Sequence, residues 1–442
     1  MDKKNKKIME LGKDVLIAAL TCSAIYMATD ILLPGGLGGI WNRGEGGFAG
    51  LVQQEDNTTV VWPVRIAVSS WNGERVMRFG VQYDRENCVA QYSPVASLLR
   101  EALSDLGLAH TTTQKEWERA LSQTSSLYFD LLGEMPFPVL SGWMTGTDSG
   151  FAGTVRRLIL SAEGDEVTLY YRDEDTGNCY ASRANLVTPE QIRAVSDAIV
   201  DNGAEFAFEL EEYDILAGDT MLLSEAPKPR VYGAANPLAG EGRLEQVDQD
   251  SVLGRLLQAL SFPENSYIYS GTHQDQVIRS GNDTLRISAE GVVRYVCAEG
   301  EPSRYQIPAK GERPTQFEIA QACLHLAEGA AGTLAGEGRL YLQHMSRDQD
   351  GWQVDFGYCL DGAAVQVGES GFAARFSVQG SEITQFAIQL RCYTDTGSRS
   401  AVLPEQQAAA AMEALEAEGS ELMLTYRDLG GDKVLAGWVA HE

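Results

Sequence analysis

The sequence lacks the common signatures of catalytic and metal sites. Its five histidines form neither an HExxH motif nor a pair at helical spacing, which argues against a zinc hydrolase. None of its seven cysteines belongs to a CxxC pair, so zinc ribbons and thioredoxin-like redox sites are not supported. A Walker lysine motif and a GxSxG nucleophile elbow are also missing. We therefore predict a protein that is not an enzyme and that has no cofactor and no metal site.

Other short strings that resemble functional loops lack the context that those loops need. The glycine pairs within residues 240–242 and 336–338 neither follow a strand nor open a helix, as a dinucleotide loop requires. Two acidic loops, residues 173–177 and 348–351, lack the twelfth-position glutamate of an EF-hand, so we predict turns there. The glutamate run at residues 209–212 is interpreted as a solvated strand edge.

Positive charge is scarce. The chain has 35 Lys and Arg against 62 Asp and Glu, which gives a formal net charge of −27. Phosphates repel so acidic a chain, which argues against nucleic-acid binding and against flat docking on anionic lipid. Hydrophobic residues make up 44% of the chain, which rules out a mainly disordered protein. At 442 residues, two or three packed domains are expected.

Long apolar runs are also scarce, and the outstanding one is residues 15–33, VLIAALTCSAIYMATDILL. A helix of this length spans about 28 Å, close to the hydrocarbon thickness of a bilayer, about 30 Å. A lysine-rich segment precedes it, and by the positive-inside rule this keeps the N-terminus in the cytoplasm. We predict a cytoplasmic tail at residues 1–14, a single transmembrane helix at residues 15–33, and an extracytoplasmic location for the rest.

Two other interpretations of this run stay open. A cleaved signal peptide shares the lysine-rich start and the apolar core, although Gly36 and Gly38 offer only a poor cleavage site. A buried helix of a cytosolic protein is the third interpretation.

The cysteines after this run leave their redox state open. An even number permits disulfides, whereas their wide spacing in a large chain fits buried free thiols. These residues are Cys88, Cys179, Cys297, Cys323, Cys359 and Cys392.

Residues 34–56 form a glycine-rich linker, and an N-terminal α+β domain is predicted at residues 57–225. An Asn-Gly hairpin turn follows its first strand. A helix with apolar residues at helical spacing begins at Pro94, and a second helix begins at Pro189. The second of these helices is predicted to run to Gly203, before a strand at residues 205–211.

Two further α+β domains follow a proline-rich boundary near residue 226. A small central α+β domain is predicted at residues 226–311, with one helix and two short strands. The C-terminal α+β domain, residues 312–442, begins with a helix after Pro314 and continues as an antiparallel meander. The meander includes one long strand at residues 382–393. The overall fold class is α+β, an N-terminal transmembrane helix followed by two to three such domains with antiparallel sheets packed on helices.

Two stretches of the sequence resemble a known family. SVLGRLLQALSFPENSYIYSG and then DTLRISAEGVVRYVC occur in the central domain; GWQVDFGYCLDGAAVQVG and then FAARFSVQGSEITQFAIQLRCY occur in the C-terminal domain. With the N-terminal anchor, these stretches resemble the YycH family of membrane-anchored regulators, and the C-terminal strands are also similar to the sister protein YycI. The resemblance covers about residues 1–33 and 245–400.

The resemblance implies a non-catalytic, single-pass membrane protein that acts with a YycI-like protein, through membrane helices, on a two-component sensor histidine kinase. Helix association in lipid depends on close packing at small residues. The candidate partner-binding residues are the small ones at four-residue spacing, Ala18, Ala19, Cys22, Ser23, Ala24 and Ala28. Two alternatives stay open: alanine is common in any anchor, and the chain could be an extracytoplasmic envelope binding or assembly module without a kinase partner.

Overall fold

The computed structural model describes residues 61–148, 150–239, 251–262, 266–271, 275–298, 300–414 and 419–441. The predicted tail, membrane helix and linker lie outside these described residues, so they stay predictions. Within the described ranges, no helix combines the length and the apolar character needed to cross a membrane.

The first part of the described chain forms an antiparallel sheet. Its strands are β1 (Arg65–Trp71), β2 (Val76–Gln82), β3 (His110–Thr112), β4 (Ser125–Pro136), β5 (Thr154–Glu163), β6 (Glu166–Arg172) and β7 (Cys179–Arg183). They are ordered β2-β1-β4-β5-β6-β7-β3. The predicted turn between β1 and β2 is confirmed: the Asn72 side chain accepts hydrogen bonds from the backbone of Glu74 and Arg75, and Gly73 has a φ of 96°.

Five helices accompany this first sheet. They are α1 (Arg85–Tyr92), α2 (Ala96–Ser104), α3 (Gln114–Ser122), α4 (Phe137–Thr145) and α5 (Pro189–Ser196). The predicted amphipathic face of α2 is confirmed, because Leu98, Leu99, Ala102 and Leu103 are all buried. At the start of α5, the Gln191 side chain accepts a hydrogen bond from the backbone of Thr188, which satisfies a donor that the helix leaves free.

A second sheet contains strands from the rest of the chain. Beyond the short pair β8 (Glu205–Phe206) and β9 (Met221–Leu222), its strands are β10 (Arg230–Ala235), β11 (Tyr267–Ser270), β12 (Gln276–Ser280), β13 (Asp283–Ile287), β14 (Val292–Cys297), β15 (Arg339–Arg347), β16 (Trp352–Leu360), β17 (Ala363–Val367), β18 (Ala374–Gln379), β19 (Glu382–Gln389), β20 (Cys392–Arg399), β21 (Glu421–Asp428) and β22 (Lys433–His441). Their order is β11-β12-β13-β14-β19-β18-β16-β17-β21-β22-β10-β20, with β15 paired to β16. The pairing is antiparallel except between β17 and β21.

Three helices belong to this second part: α6 (Val252–Ala259), α7 (Gln316–Ala330) and α8 (Glu405–Ala414). A capping box starts α7, since Thr315 and Glu318 exchange hydrogen bonds between side chain and backbone. The apolar face of α7 is buried in the same hydrophobic core as the inner face of the second sheet. A mixed α+β fold with antiparallel sheets is therefore confirmed for the described chain.

Strand pairing crosses one predicted domain boundary. The strand β14 belongs to the predicted central domain, and its partner β19 belongs to the predicted C-terminal domain. The two segments thus share one continuous sheet. A shared sheet does not test whether each segment folds on its own, so the predicted boundaries at residues 225/226 and 311/312 stay predictions.

Three predicted elements end earlier than their sequence pattern indicates, and in each of them a polar side chain has a partner elsewhere in the chain. The predicted helix 189–203 stops at Ser196, and Asn202 instead hydrogen-bonds the backbone of Gly80 with both ends of its amide. The predicted strand 382–393 breaks after Gln389, where Arg391 turns to a buried ion pair with Asp428. The third element is the predicted strand at residues 205–211.

The predicted strand at residues 205–211 is wrong beyond Phe206. Two short 3-10 turns follow, at Ala207–Glu209 and Glu211–Tyr213. They bring the Glu209 carboxylate to the buried Arg78 guanidinium, with Oε2 2.6 Å from Nη1. The interpretation of Glu209 as part of a solvated strand edge is therefore also wrong, since a buried arginine needs this partner.

The first sheet and the second sheet pack closely where β4 meets β15. A Cβ atom added at Gly133 in β4 would overlap the backbone carbonyl oxygen of Leu342 in β15. Beside this point, the Glu134 side chain of β4 contacts the His344 ring of β15, with 3.4 Å between Oε2 and Nδ1. Glycine is needed at position 133 because a backbone atom cannot move aside as a side chain can.

We expect Gly133→Ala to lower the free energy of unfolding by about 1–3 kcal/mol, because the added methyl group forces two strands apart. Urea unfolding followed by tryptophan fluorescence measures the change. Gly437→Ala is the matched control, since no atom lies within 4 Å of the position that its Cβ would take. Equal stability of the two variants would contradict the close approach of β4 and β15.

Candidate functional site

The predicted partner-binding residues, Ala18 to Ala28, lie outside the described residues and stay predictions. The other candidates from the sequence are dispersed. His110 lies on the exposed strand β3, His325 lies on α7 beside Gln321, and His441 ends β22. Across the described residues, no group of three or more His, Cys, Asp or Glu side chains is arranged to hold a metal ion.

Both acidic loops are turns, as predicted. Asp348 accepts hydrogen bonds from the backbone of Asp350 and Gly351, in the hairpin that joins β15 to β16. Asp173 accepts hydrogen bonds from the backbone of Thr154 and the hydroxyl of Thr176. Both carboxylates therefore stabilise the turns that contain them.

All six cysteines of the described residues are free thiols: Cys88, Cys179, Cys297, Cys323, Cys359 and Cys392. Burial raises the pKa of the Cys359 thiol to about 11, and it raises the pKa values of Cys88 and Cys323 further. At neutral pH these three thiols are protonated, and a thiol is a poor nucleophile. The structure therefore favours the free-thiol alternative.

The most unusual cluster of charges is buried. We call it the ionic cluster, and its members are Arg65, Asp130, Arg156, Arg157, Asp219 and Glu421. No side chain in it is more than 6% exposed. Three arginines and three carboxylates balance, which is the condition for burying charge at tolerable cost.

Asp130 is the centre of the cluster on the first sheet. Its carboxylate accepts two hydrogen bonds from Arg156, at 2.9 and 2.8 Å, and one from Arg65 at 2.7 Å. The backbone N–H of Leu132 donates a fourth, at 2.8 Å. Both carboxylate oxygens are thus fully engaged.

Glu421 brings the second sheet into the cluster. It is the first residue of β21, and its carboxylate accepts hydrogen bonds from three guanidiniums. Arg65 donates at 2.6 Å, Arg156 at 2.8 and 3.1 Å, and Arg157 through Nη2. Strands β1 and β5 of the first sheet are thereby joined to β21 of the second.

Asp219 and two residues outside the cluster, Arg172 and Tyr83, extend this link. Arg157 donates to Asp219 at 2.9 Å, and Arg172 lies 3.1 Å from the same carboxylate. The hydroxyl of Tyr83 accepts from Arg65 at 3.3 Å and from the backbone N–H of Leu424, in β21, at 3.0 Å. Asp219 lies just before β9, so three separate parts of the chain meet here.

Arg156 and Arg157 are consecutive in β5, yet both donate hydrogen bonds to the carboxylate of Glu421. A bulge in β4 explains how both side chains can reach it. Asp130 pairs with Arg157 and Met135 pairs with Val155, so residues 131–134 stand opposite Arg156 alone. Within the bulge Leu132 has a φ of 68°, in the left-handed region. Bulges redirect side chains in this way.

Ion pairing outweighs burial for both central carboxylates. Burial by itself would raise the pKa of Asp130, but the guanidiniums of Arg156 and Arg65 hold that pKa below its ordinary value. The pKa of Glu421 lies well below its ordinary value for the same reason, with Arg156, Arg157 and Arg65 acting together against burial. Ionised carboxylates with lowered pKa values are poor proton acceptors, so we interpret the cluster as a structural element that holds the strands together.

The cluster is not fully satisfied. Arg65 Nε, Arg157 Nε and Asp219 Oδ1 are buried, and among the described residues they have no hydrogen-bond partner. Each such atom costs about 1–3 kcal/mol. An apolar contact would join the sheets at lower cost, so we infer that the charges select one relative arrangement of the strands.

Another buried carboxyl, that of Glu405, lies where α8 meets the first sheet. Glu405 accepts hydrogen bonds from Gln82 Nε2 at 3.2 Å and from the backbone N–H of Leu223 at 3.1 Å. Burial raises the pKa of Glu405 to about 7, against smaller opposing effects of Leu223 and Arg65. This group titrates near neutral pH, unlike the ionic cluster.

Sequence reasoning missed the ionic cluster. Arg156-Arg157 interrupts the apolar strand pattern TVRRLILSA, and arginine is almost never fully buried without a partner. That pair is a signal for buried ion pairing. Glu421 could not have been chosen as its partner among 62 acidic residues.

Comparison with known proteins gives the fold a context. No protein-family model matches the chain, and no curated protein matches it by sequence. The structure is similar to the crystal structure of YycH from Bacillus subtilis, with a TM-score of 0.50 and 11% sequence identity, over 87% of this chain and 95% of that chain. At this identity the similarity shows the fold alone. The chain has a YycH-like fold, as the resemblance in sequence predicted.

We expect Glu421→Gln to lower the free energy of unfolding by about 3–5 kcal/mol, because it leaves buried guanidiniums without their anion. Urea unfolding at neutral pH measures the loss. Glu166→Gln is the matched control: it removes a surface ion pair with Arg183 whose side chains are 57% and 51% exposed, so it should cost less than about 1 kcal/mol. Similar losses in the two variants would show that the ionic cluster does not hold the sheets together.

We expect Glu405→Gln to reduce the pH dependence of stability. A folded-state pKa near 7, above the unfolded value of 4.5, means that this group's contribution is present below pH 4.5 and is lost as pH rises through 7. Between pH 5.5 and 8 it lowers the free energy of unfolding by about 2 kcal/mol in the unmodified protein.

Urea unfolding at these two pH values, with Glu166→Gln as control, measures the slope. Some slope remains in Glu405→Gln, because the hydrogen bond that His344 donates to Glu134 raises the pKa of His344, and that contribution to stability is also lost as pH rises. An unchanged slope in Glu405→Gln would contradict a protonated Glu405.

Proposed function

From the YycH-like fold, we propose that this protein is a non-catalytic, single-pass membrane regulator of a two-component system. Its extracytoplasmic domains bind a partner, and its transmembrane helix modulates a sensor histidine kinase. The observation that carries the proposal is the structural similarity to YycH, which extends over most of both chains. The buried ionic cluster is compatible with a non-catalytic role, because its carboxylates are engaged in ion pairs with arginines.

The proposed location is the cell membrane, with the N-terminus in the cytoplasm and the bulk of the chain outside. Support comes from the apolar run at residues 15–33 and from the lysines before it. The acidic remainder agrees with a portion that avoids anionic headgroups.

The proposed partners are a YycI-like protein and the kinase itself, both taken from the family resemblance. Small residues at four-residue spacing allow two membrane helices to approach closely. Such a contact contributes about 1 kcal/mol, which shifts a balanced two-state equilibrium several-fold. A kinase poised between two states responds to a contact of that size.

The ionic cluster gives the outer portion a role in this scheme. Arg65, Arg156 and Glu421 tie strands of both sheets together, so a partner bound at one sheet acts on a body that moves as a unit. We infer that the partner's position, rather than a chemical reaction, is what the protein transmits.

We expect replacement of residues 15–33 by an unrelated spanning sequence to abolish regulation of the kinase, because the small-residue contacts are lost. Kinase output in cells, read from a promoter that its response regulator controls, measures the effect. In the control variant Val15, Ile17 and Ile25 become leucine, which keeps the apolar length and every small residue.

Unaltered kinase output after the replacement would overturn the coupling through the helix. Co-purification from membranes then separates the two functions. A chain that never brings down a kinase or a YycI-like protein is an envelope binding or assembly module instead.

A further inference from the structure

An exposed face of the second sheet carries a set of arginines and tyrosines. We call it the β11–β14 face, and its members are Tyr267, Tyr269, Arg279, Arg286, Arg294 and Val296. The strand register places them together: Tyr267 is opposite Arg279, and Tyr269 is in the next row on the same side of β11. The other side of these strands, with Ile278, Leu285 and Tyr295, is buried in the core.

Exposure of this face is high for side chains of this size. Tyr267 is 81% exposed, Tyr269 is 47% exposed and Val296 is 49% exposed. The three arginines are exposed as well. The two tyrosines lie side by side on β11, and exposed aromatic side chains that lie together mark interaction surfaces. Val296 lies on β14, with Arg279 and Thr284 on the two strands between it and Tyr267.

The arginines of this face differ from those of the ionic cluster. Among the described residues, none of Arg279, Arg286 and Arg294 forms an ion pair or a side-chain hydrogen bond. The carboxylate of Glu290, in the turn before β14, lies near enough to interact with Arg294 but makes no ion pair with it. In a chain with 62 acidic residues, three neighbouring unpaired arginines are unexpected.

The register makes this arrangement costly in the isolated chain. Arg286 in β13 lies directly opposite Arg294 in β14, on the exposed side. Like charges directly opposite each other on adjacent strands destabilise a sheet. A ligand with negative charge removes this repulsion when it binds.

We propose that the β11–β14 face binds an acidic segment of another protein, whose carboxylates pair with the three arginines. Charge complementarity identifies the partner's chemistry, because a guanidinium binds a carboxylate with two parallel hydrogen bonds. The tyrosines identify it as a polypeptide: tyrosine and arginine together are enriched where proteins bind proteins.

This inference goes beyond the proposed function and does not depend on it, since an acidic segment can bind the face on either side of a membrane. Val296 and the tyrosines supply apolar contact on the same face as the three arginines. The protein's own net charge of −27 repels acidic chains in general, so binding has to be local to this face.

The test uses the full-length chain in a non-ionic detergent and fluorescein-labelled poly-L-glutamate as the probe, followed by fluorescence anisotropy at low ionic strength. The triple variant Arg279→Gln, Arg286→Gln, Arg294→Gln should bind at least about tenfold more weakly, because three exposed charge pairs are lost. The control variant carries Arg75→Gln, Arg183→Gln and Arg427→Gln, which make the same change of charge at exposed sites away from this face. It should bind within about twofold of the unmodified chain.

Two further measurements complete the test. The triple variant should unfold at a temperature no lower than the unmodified chain, since it loses the Arg286–Arg294 repulsion. Tyr267→Ala combined with Tyr269→Ala should weaken binding several-fold while the salt dependence of the affinity is unchanged.

Four outcomes would overturn the proposal. The first is the absence of binding by the unmodified chain, and the second is equal affinity in the two triple variants. The third is preferential binding of inorganic polyphosphate with no effect of the tyrosine changes, which would indicate a site for any anion. The fourth is self-association in sedimentation velocity that the triple variant abolishes, which would make a second copy of this chain the occupant.

Discussion

Glu421 accepts hydrogen bonds from Arg65, Arg156 and Arg157, and the arrangement of the two sheets depends on this contact. The main hydrophobic cluster contains residues of both sheets, but apolar contacts have no direction and tolerate sliding. Buried charges do not tolerate it, because a guanidinium that loses its carboxylate in the interior costs several kcal/mol, about 3–5. The register between the sheets is therefore set by charge, and the core fills the space around it.

The same residue type has two opposite uses in this chain. In the ionic cluster, each arginine is buried and paired, and its geometry fixes strands from distant parts of the sequence. On the β11–β14 face, arginines stand exposed and unpaired among the described residues, two of them opposite each other. The first arrangement is complete within the protein. The second leaves a charge balance that another molecule can complete.

Sequence patterns predicted the local parts of this fold. Alternating strands, Asn-Gly and Asp-Gly turns and the apolar face of α2 depend on neighbours within a few residues, and the structure confirms them. The predictions were wrong where a side chain has a partner far away in sequence: Asn202 lies beyond the end of its predicted helix and bonds Gly80, Arg391 lies where its predicted strand breaks, and Glu209 pairs with Arg78. The pairing of Arg65, Arg156 and Arg157 with Glu421 could not be predicted for the same reason. Helix α4 was missed because FPVLSGWMT is apolar on every side and shows no periodicity.

The distance in sequence between the partners of the ionic cluster bears on how the chain folds. Arg65 and Glu421 are separated by 356 residues. A chain that emerges from its N-terminus completes β1 and β5 long before their anion is made. Until then Arg65, Arg156 and Arg157 share Asp130 and Asp219 alone, and contacts of such long range form slowly. The first sheet can therefore reach its final charge balance only after β21, close to the C-terminal end of the given sequence, has been made.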